Sequence, residues 1–192
     1  MARNFKSSSD VGGESTIVTA PGTYHCLVIK SADGASTKGN QMDGVSALLE
    51  VVAGTTKGQE ERKFHLSLFD PDLSKSDAAQ EWSVKKQTAF AIAINQLDPS
   101  KLGEEVSIEF GAGEGQQLFI TLAENTYDGK TNLELSFANI YHVDDPRASG
   151  FPKNEAALKL LPAECRKKVD YFAALKKEVK KPAAAAVSVD DL

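Results

Sequence analysis

Aromatic rings and isolated cations interleave along the chain: Tyr24, Lys38, Arg62, Lys63, Phe64, Phe69, Lys85, Lys86, Phe119, Tyr127, Lys130, Phe137 and Tyr141. Exposed rings stack on unpaired bases at ~1–3 kcal/mol per base while nearby cations hold phosphates, so this set suits a single-stranded nucleic acid. Most of these rings are also what a core needs. Arg62, Lys63, Tyr127 and Lys130 stand apart, because they fall at a strand start and on a hairpin tip, where burial is least. With Lys38, Lys85 and Lys86 they make up the candidate binding set.

Other chemistries find less support. Gly111, Gly113 and Gly115 lack the Lys-Ser/Thr pair of a phosphate loop and fall between two expected strands, which favours a glycine-rich hairpin. His25, His65 and His142 lie on expected strands with no i, i+4 spacing and no adjacent nucleophile, so they read as structural or surface histidines. Asp144-Asp145 and Glu60-Glu61 are neighbours in sequence, where successive strand residues face opposite ways, and read as solvated edges. Nothing assembles a nucleophile, a base and an oxyanion site, so no enzyme, cofactor or metal is expected. Cys26 and Cys165 have no ligand-like spacing and are expected to be reduced.

The elements that must position the candidate residues follow from periodicity. The 192 residues are 41% hydrophobic and 26% charged, the balance of an ordinary globular chain. The longest apolar run, residues 89–94, is far short of the ~20 a membrane span needs, and the first ten residues lack the apolar stretch of a secretory signal. A cytoplasmic protein without membrane contact is expected. Residues 1–16 read as a flexible arm. Alternation predicts strands over 23–30, 45–53 and 62–69, with turn chemistry at Asp33-Gly34 and Lys38-Gly39-Asn40. From Ser76 or Asp77 the period becomes helical. Trp82, Ala89, Phe90, Ala93, Ile94 and Leu97 share a face of a helix over 77–97, ended by Asp98-Pro99, and Trp82 is expected in the core. Strands are expected over 106–110, 118–123 and 132–143, the last entered through the Asp128-Gly129 turn.

Three strands, a helix, then two or three strands is the order of an OB-like barrel of five to six strands, spanning 17–146. Residues 147–181 read as a basic helical extension. In it Asn154 caps a first helix and Val169, Phe172, Leu175 and Val179 form the stripe of a second, suited to docking on the barrel or on another subunit, so a homo-oligomer is one expectation. Residues 182–192 read as a disordered acidic tail. Charge follows these divisions: residues 1–150 carry 13 basic and 21 acidic side chains, whereas 151–181 carry 9 and 4. An acidic barrel repels polyanions at long range, so any nucleic acid must meet a local basic face.

Several short segments carry a resemblance. Ala20-Pro21-Gly22-Thr23-Tyr24, residues 36–42 leading into Leu48-Leu49-Glu50-Val51, Gly54, Lys57-Gly58, the helix with Trp82, and Tyr127-Asp128-Gly129-Lys130-Thr131-Asn132 resemble a phage and prophage family of single-stranded-DNA-binding or recombination-accessory proteins, once classed as a domain of unknown function. The resemblance covers roughly residues 17–146. It implies an OB-type barrel acting on single-stranded DNA beside a replication or recombination system. The tip, with Asp190, Asp191 and Leu192, resembles more weakly the acidic tips of bacterial single-stranded-DNA-binding proteins, and implies docking of replication or recombination partners there.

The expectation is therefore a non-enzymatic, sequence-tolerant single-stranded-DNA binder. The alternative is a protein-interaction adaptor whose OB-like barrel does not act mainly on DNA.

Overall fold

The computed structural model describes residues 16–37 and 40–179, so all but the last residue of the N-terminal arm and the whole acidic tail expected from the sequence lie outside the described residues. The fold is mainly β. Five strands, β1 (Gly22–Thr37), β2 (Asn40–Gly54), β3 (Lys63–Phe69), β4 (Gln117–Tyr127) and β5 (Lys130–His142), form one antiparallel sheet in the order β3-β2-β1-β4-β5. Alternation aims Tyr24, Cys26 and Val28 of β1, Val45, Ala47, Leu49 and Val51 of β2, and Leu118, Ile120 and Leu122 of β4 into a single core. Tyr24 shows why the start of β1 reads as it does. Its hydroxyl donates to the Ala20 carbonyl at 2.7 Å, and its ring lies across Gly54, its cross-strand neighbour, where any Cβ would collide with it.

The sheet stays open. β3 and β5 are its edges, and helix α1 (Asp77–Ala93) touches both. Gln87 donates from Nε2 to the Leu68 carbonyl and to Asp70 Oδ1, while Trp82 meets Phe137 of β5. Ser76 caps α1 as its side chain accepts from the Ala79 N–H. The helix ends at Ala93, earlier than the sequence suggests, because Asn95 takes a left-handed conformation (φ 63°) that stops it.

Two expected elements are corrected. Asp33-Gly34 does not end β1 but sits at a register shift between Asp33 and Ala35, so the β1–β2 ladder continues to Thr37 and Asn40. Residues 106–110 form no strand, which leaves five strands and no glycine-rich hairpin. Phe110–Gly113 is instead a 3-10 turn plugged beneath the sheet, with Ser31 Oγ donating to the Phe110 carbonyl at 2.6 Å and the Phe110 ring stacked near Phe90. Its polar bonds go to β1 rather than to a ladder partner.

After β5 the chain crosses the opposite face of the sheet with α2 (Glu155–Leu160), capped by Asn154 as the sequence suggests, and then ends in a 3-10 helix, Val169–Val179, behind α1. Leu158 and Leu161 bury Phe119 on that face, and Phe172 and Leu175 pack on Ala91, Ile92 and Leu97 behind α1. Two buried histidines fasten this return. His25 Nδ1 accepts from the Asn154 N–H at 3.1 Å, so its Nε2 donates to Gln117 Oε1 at 3.0 Å. His142 Nδ1 accepts from the Asp144 N–H, so its Nε2 donates to the Cys165 carbonyl, both at 3.0 Å. Both rings are therefore neutral.

Candidate nucleic-acid interface

The face of β1–β3 turned away from the core carries three cross-strand rows, fixed by the register. Leu27, Glu50 and Lys63 form the first; Lys30, Leu48 and His65 the second; Ala32, Ser46 and Ser67 the third. Residues directly opposite on one face of an antiparallel pair stand ~4.5–5.5 Å apart at Cβ, so each row is a continuous strip. Lys30, Lys63 and His65 are exposed, and Leu27 and Leu48 half-buried. Two cations, an imidazole and an apolar floor thus share one surface, with Glu50 in its first row and Glu60 and Glu61 close by at the Lys63 end. Lys63 was legible in the sequence as a candidate. Lys30 and His65 were not, because which alternate residues face solvent depends on which side of the sheet the helix and the C-terminal return cover.

A second exposed element is the β4–β5 hairpin. Asp128 (φ 50°) and Gly129 (φ 70°) both take positive φ, the two-residue geometry that matches strand twist and that Asp-Gly favours. Tyr127 and Lys130 face each other across it, and Tyr127 is 81% exposed. An unburied ring beside a cation at a hairpin tip is suited to stacking against a base.

The remaining candidates divide. Arg62 holds structure: its Nε donates to the Gly58 carbonyl at 3.0 Å and its Nη1 reaches the Ile17 carbonyl and Thr19 Oγ1 at 3.4 Å, tying the β2–β3 turn to residues 17–19. Lys85 is exposed on α1, paired with Glu81 at 2.8 Å and lying over the Trp82 ring at 5.1 Å, and Lys86 is half-buried beside it. The helix thus holds these two lysines away from the rows on β1–β3. Lys38 and the tail residues Asp190, Asp191 and Leu192 lie outside the described residues.

Trp82 is a correction. It is 42% exposed, its ring 5.7 Å from that of Phe137, which is itself 68% exposed. The first turns of α1 bury no residue, and the helix's buried face begins only at Phe90. Trp82→Ala is accordingly expected to cost about 1 kcal/mol in a urea titration, well below the ~3–5 kcal/mol of a buried tryptophan. A loss in the buried range would return Trp82 to the core.

The carboxylates at the end of β5 are corrected too. Asp145 is buried at 2% exposure and receives a bidentate pair from Arg147, Nη2 to Oδ2 at 2.7 Å. Asp144 takes Arg166 and the Lys167 N–H, which hold its carboxyl below the usual range against the opposing effect of burial. They anchor the C-terminal return where a solvated edge was expected.

Among the described residues, no helix is long and apolar enough to cross a membrane. No family model matches the chain, and no curated protein matches it closely enough to lend it a role, so its surface must speak through its own geometry.

Proposed function

We propose that the protein is a non-enzymatic, sequence-tolerant single-stranded-DNA-binding protein of the phage or prophage replication and recombination type, built on an OB-like barrel left open between β3 and β5. The order β3-β2-β1-β4-β5, with a helix between β3 and β4, is the strand order of such a barrel cut at that seam. OB-folds bind oligonucleotides on the face of strands 2 and 3 and with the loops after strands 1 and 4. The observation that carries the reading is the exposed strip on that face: Lys30 and Lys63 beside His65 over Leu27 and Leu48. Tyr127 and Lys130 add a ring and a cation on the β4–β5 loop. In this reading the strand's phosphates run along the lysines and its bases lie on the apolar floor. The local cations overcome a barrel region that carries net negative charge, which favours weak long-range capture and strong dependence on salt.

The test is fluorescence anisotropy with a labelled oligothymidine over a salt series, alongside duplex DNA and RNA. Replacing Lys30, Lys63 and Lys130 by alanine is expected to flatten the log–log salt slope by about 2, at about 0.7 per phosphate contact on single strands. Tyr127→Ala is expected to weaken binding about tenfold, within the ~1–3 kcal/mol of one stacked base, and to leave Tm unchanged. A folded triple variant with unaltered affinity and slope would discard this face. Binding only to protein partners, insensitive to salt, would favour the adaptor reading instead.

A further inference from the structure

Between α1 and β5 lies a groove of about 460 Å³, floored by Ala89 and Ile140 and rimmed by the rings of Trp82 and Phe137. A large bulge opens it. Ile120 pairs with Ile140 and Leu122 with Leu135, so residues 136–139 of β5 stand opposite Thr121 alone. The bulge puts Phe137 in a left-handed conformation, φ 54°, which a bulky residue adopts only under strain, and leaves its ring 68% exposed. Burial does not repay that strain. The ring's aromatic neighbour is Trp82, 5.7 Å away and tilted by 43°, and Trp82 is itself exposed. Backbone strain that no buried contact offsets clusters where a surface has a ligand to meet.

The chemistry of the rim selects the ligand. Lys85 lies over the Trp82 ring at 5.1 Å, so the open face is that of Phe137, with Trp82 beside it, and an open ring stacks on any flat π-system. The cations at the rim are already paired, Lys85 with Glu81 at 2.8 Å and Arg147 with Asp145 at 2.7 Å, so charge does not choose what enters. The neutral base of a nucleotide suits this rim better than its phosphate. A polar group is also in place. Asn139 Oδ1 accepts from the Tyr141 hydroxyl at 2.8 Å, which fixes the amide and leaves Nδ2 to donate to a ring carbonyl. Finally, β5 joins the groove to the β4–β5 hairpin with its exposed Tyr127. Lys130 precedes Phe137 by seven residues, at most ~23 Å at ~3.3 Å per residue, a span that fits the ~4–16 nucleotides one OB-fold engages.

We propose that the α1–β5 groove is a stacking subsite for the unpaired bases of a single strand, one base lying on Phe137 beside Trp82 with Asn139 Nδ2 donating to its carbonyl. The subsite rests on the single-stranded-DNA reading above and adds a base contact to the phosphate contacts on β1–β3. Because it takes a base and no phosphate, it contributes affinity without contributing to the salt slope.

Trp82 is the chain's one tryptophan, so its fluorescence reports the groove directly. In the full chain, an oligothymidine of about 16 nucleotides, the upper site size of an OB-fold, is expected to quench Trp82 saturably, with the midpoint that anisotropy gives. An abasic oligomer of the same length keeps the phosphates and should bind without that quenching. Phe137→Asn puts a residue that tolerates the left-handed position in place of the ring, so Tm is expected to hold or rise while affinity falls about tenfold at an unchanged salt slope. Oligothymidine binding that leaves Trp82 emission unmoved, or equal quenching by the abasic oligomer, would overturn the subsite and leave the strip on β1–β3 standing. So would a Phe137→Asn variant with lowered Tm and unaltered affinity, which would make the ring a packing element. A dimer in sedimentation that Phe137→Asn dissolves would give the groove to a second copy and overturn it as well. No oligothymidine binding in anisotropy would overturn both readings.

Discussion

Acidification from pH 7 to pH 4 is expected to cost the fold about 3 kcal/mol through His25 alone. Burial drives the imidazole down from 6.5 to about 4, with Lys153 nearby acting in the same direction and the Gln117 bond opposing. The sign follows from proton counts. Above pH 6.5 His25 is neutral in both states and its contribution is complete. Between 6.5 and 4 the unfolded chain takes up a proton that the folded ring refuses, so stability falls with pH, and below about 4 both states are protonated and no more is lost. His142, also lowered by burial, adds in the same direction. The structural consequence is specific, because a protonated His25 can no longer accept from the Asn154 N–H nor a protonated His142 from the Asp144 N–H, and both bonds fasten the C-terminal return. Urea midpoints between pH 7 and 4.5 would show the loss. A flat profile across that window would mean that neither ring is held neutral.

The second large effect is expected at Phe172. It is 1% exposed, tilted against His142 at 5.4 Å and edge-on to Tyr171, and it closes the cluster of Ala91, Ile92, Leu97 and Leu175. Phe172→Ala should remove ~3–5 kcal/mol, the range for deleting a buried ring with incomplete collapse around it. Because α1 lies between this cluster and the sheet core, the loss should appear as a single earlier unfolding transition of the whole protein. An unchanged midpoint, or a separate minor transition for the C-terminal segment, would show that residues 147–179 sit on the sheet without supporting it. The result bears on the candidate interface, since the return covers one part of the outer face and so determines which strand residues are left for a ligand.

Much of the framework was legible one element at a time. The alternation of Tyr24, Cys26 and Val28, the Asp128-Gly129 hairpin, Ser76 at the start of α1 and Asn154 at the start of α2 are local signals, because period, turn geometry and capping act within a few residues. Lys63, Tyr127 and Lys130 could be singled out for the same reason: strand starts and hairpin tips are exposed in almost any fold that contains them. The five strands and the helix after the third follow from such signals, and so does the mainly β architecture.

What only the tertiary structure decided is where two faces compete for one segment. Helix α1 and the residues just after it have apolar side chains on two sides, Phe90, Ala93 and Ile94 for the sheet and Ala91, Ile92 and Leu97 for the C-terminal return, so the periodicity gives no single buried stripe and misplaces Trp82. Residues 106–110 have the composition of a strand, but a strand needs a partner ladder, and Ser31 draws Phe110 into a plug instead. The bulge at 136–139 arises because β5 must follow β4 and also meet α1, a conflict between elements distant in sequence. The bond from Asn154 to His25 joins residues 129 apart, and Lys30 and His65 become neighbours of Leu48 only through the register of three strands. Local chemistry chose the strands and their caps; which of their faces meets water was settled by what else the chain laid against them.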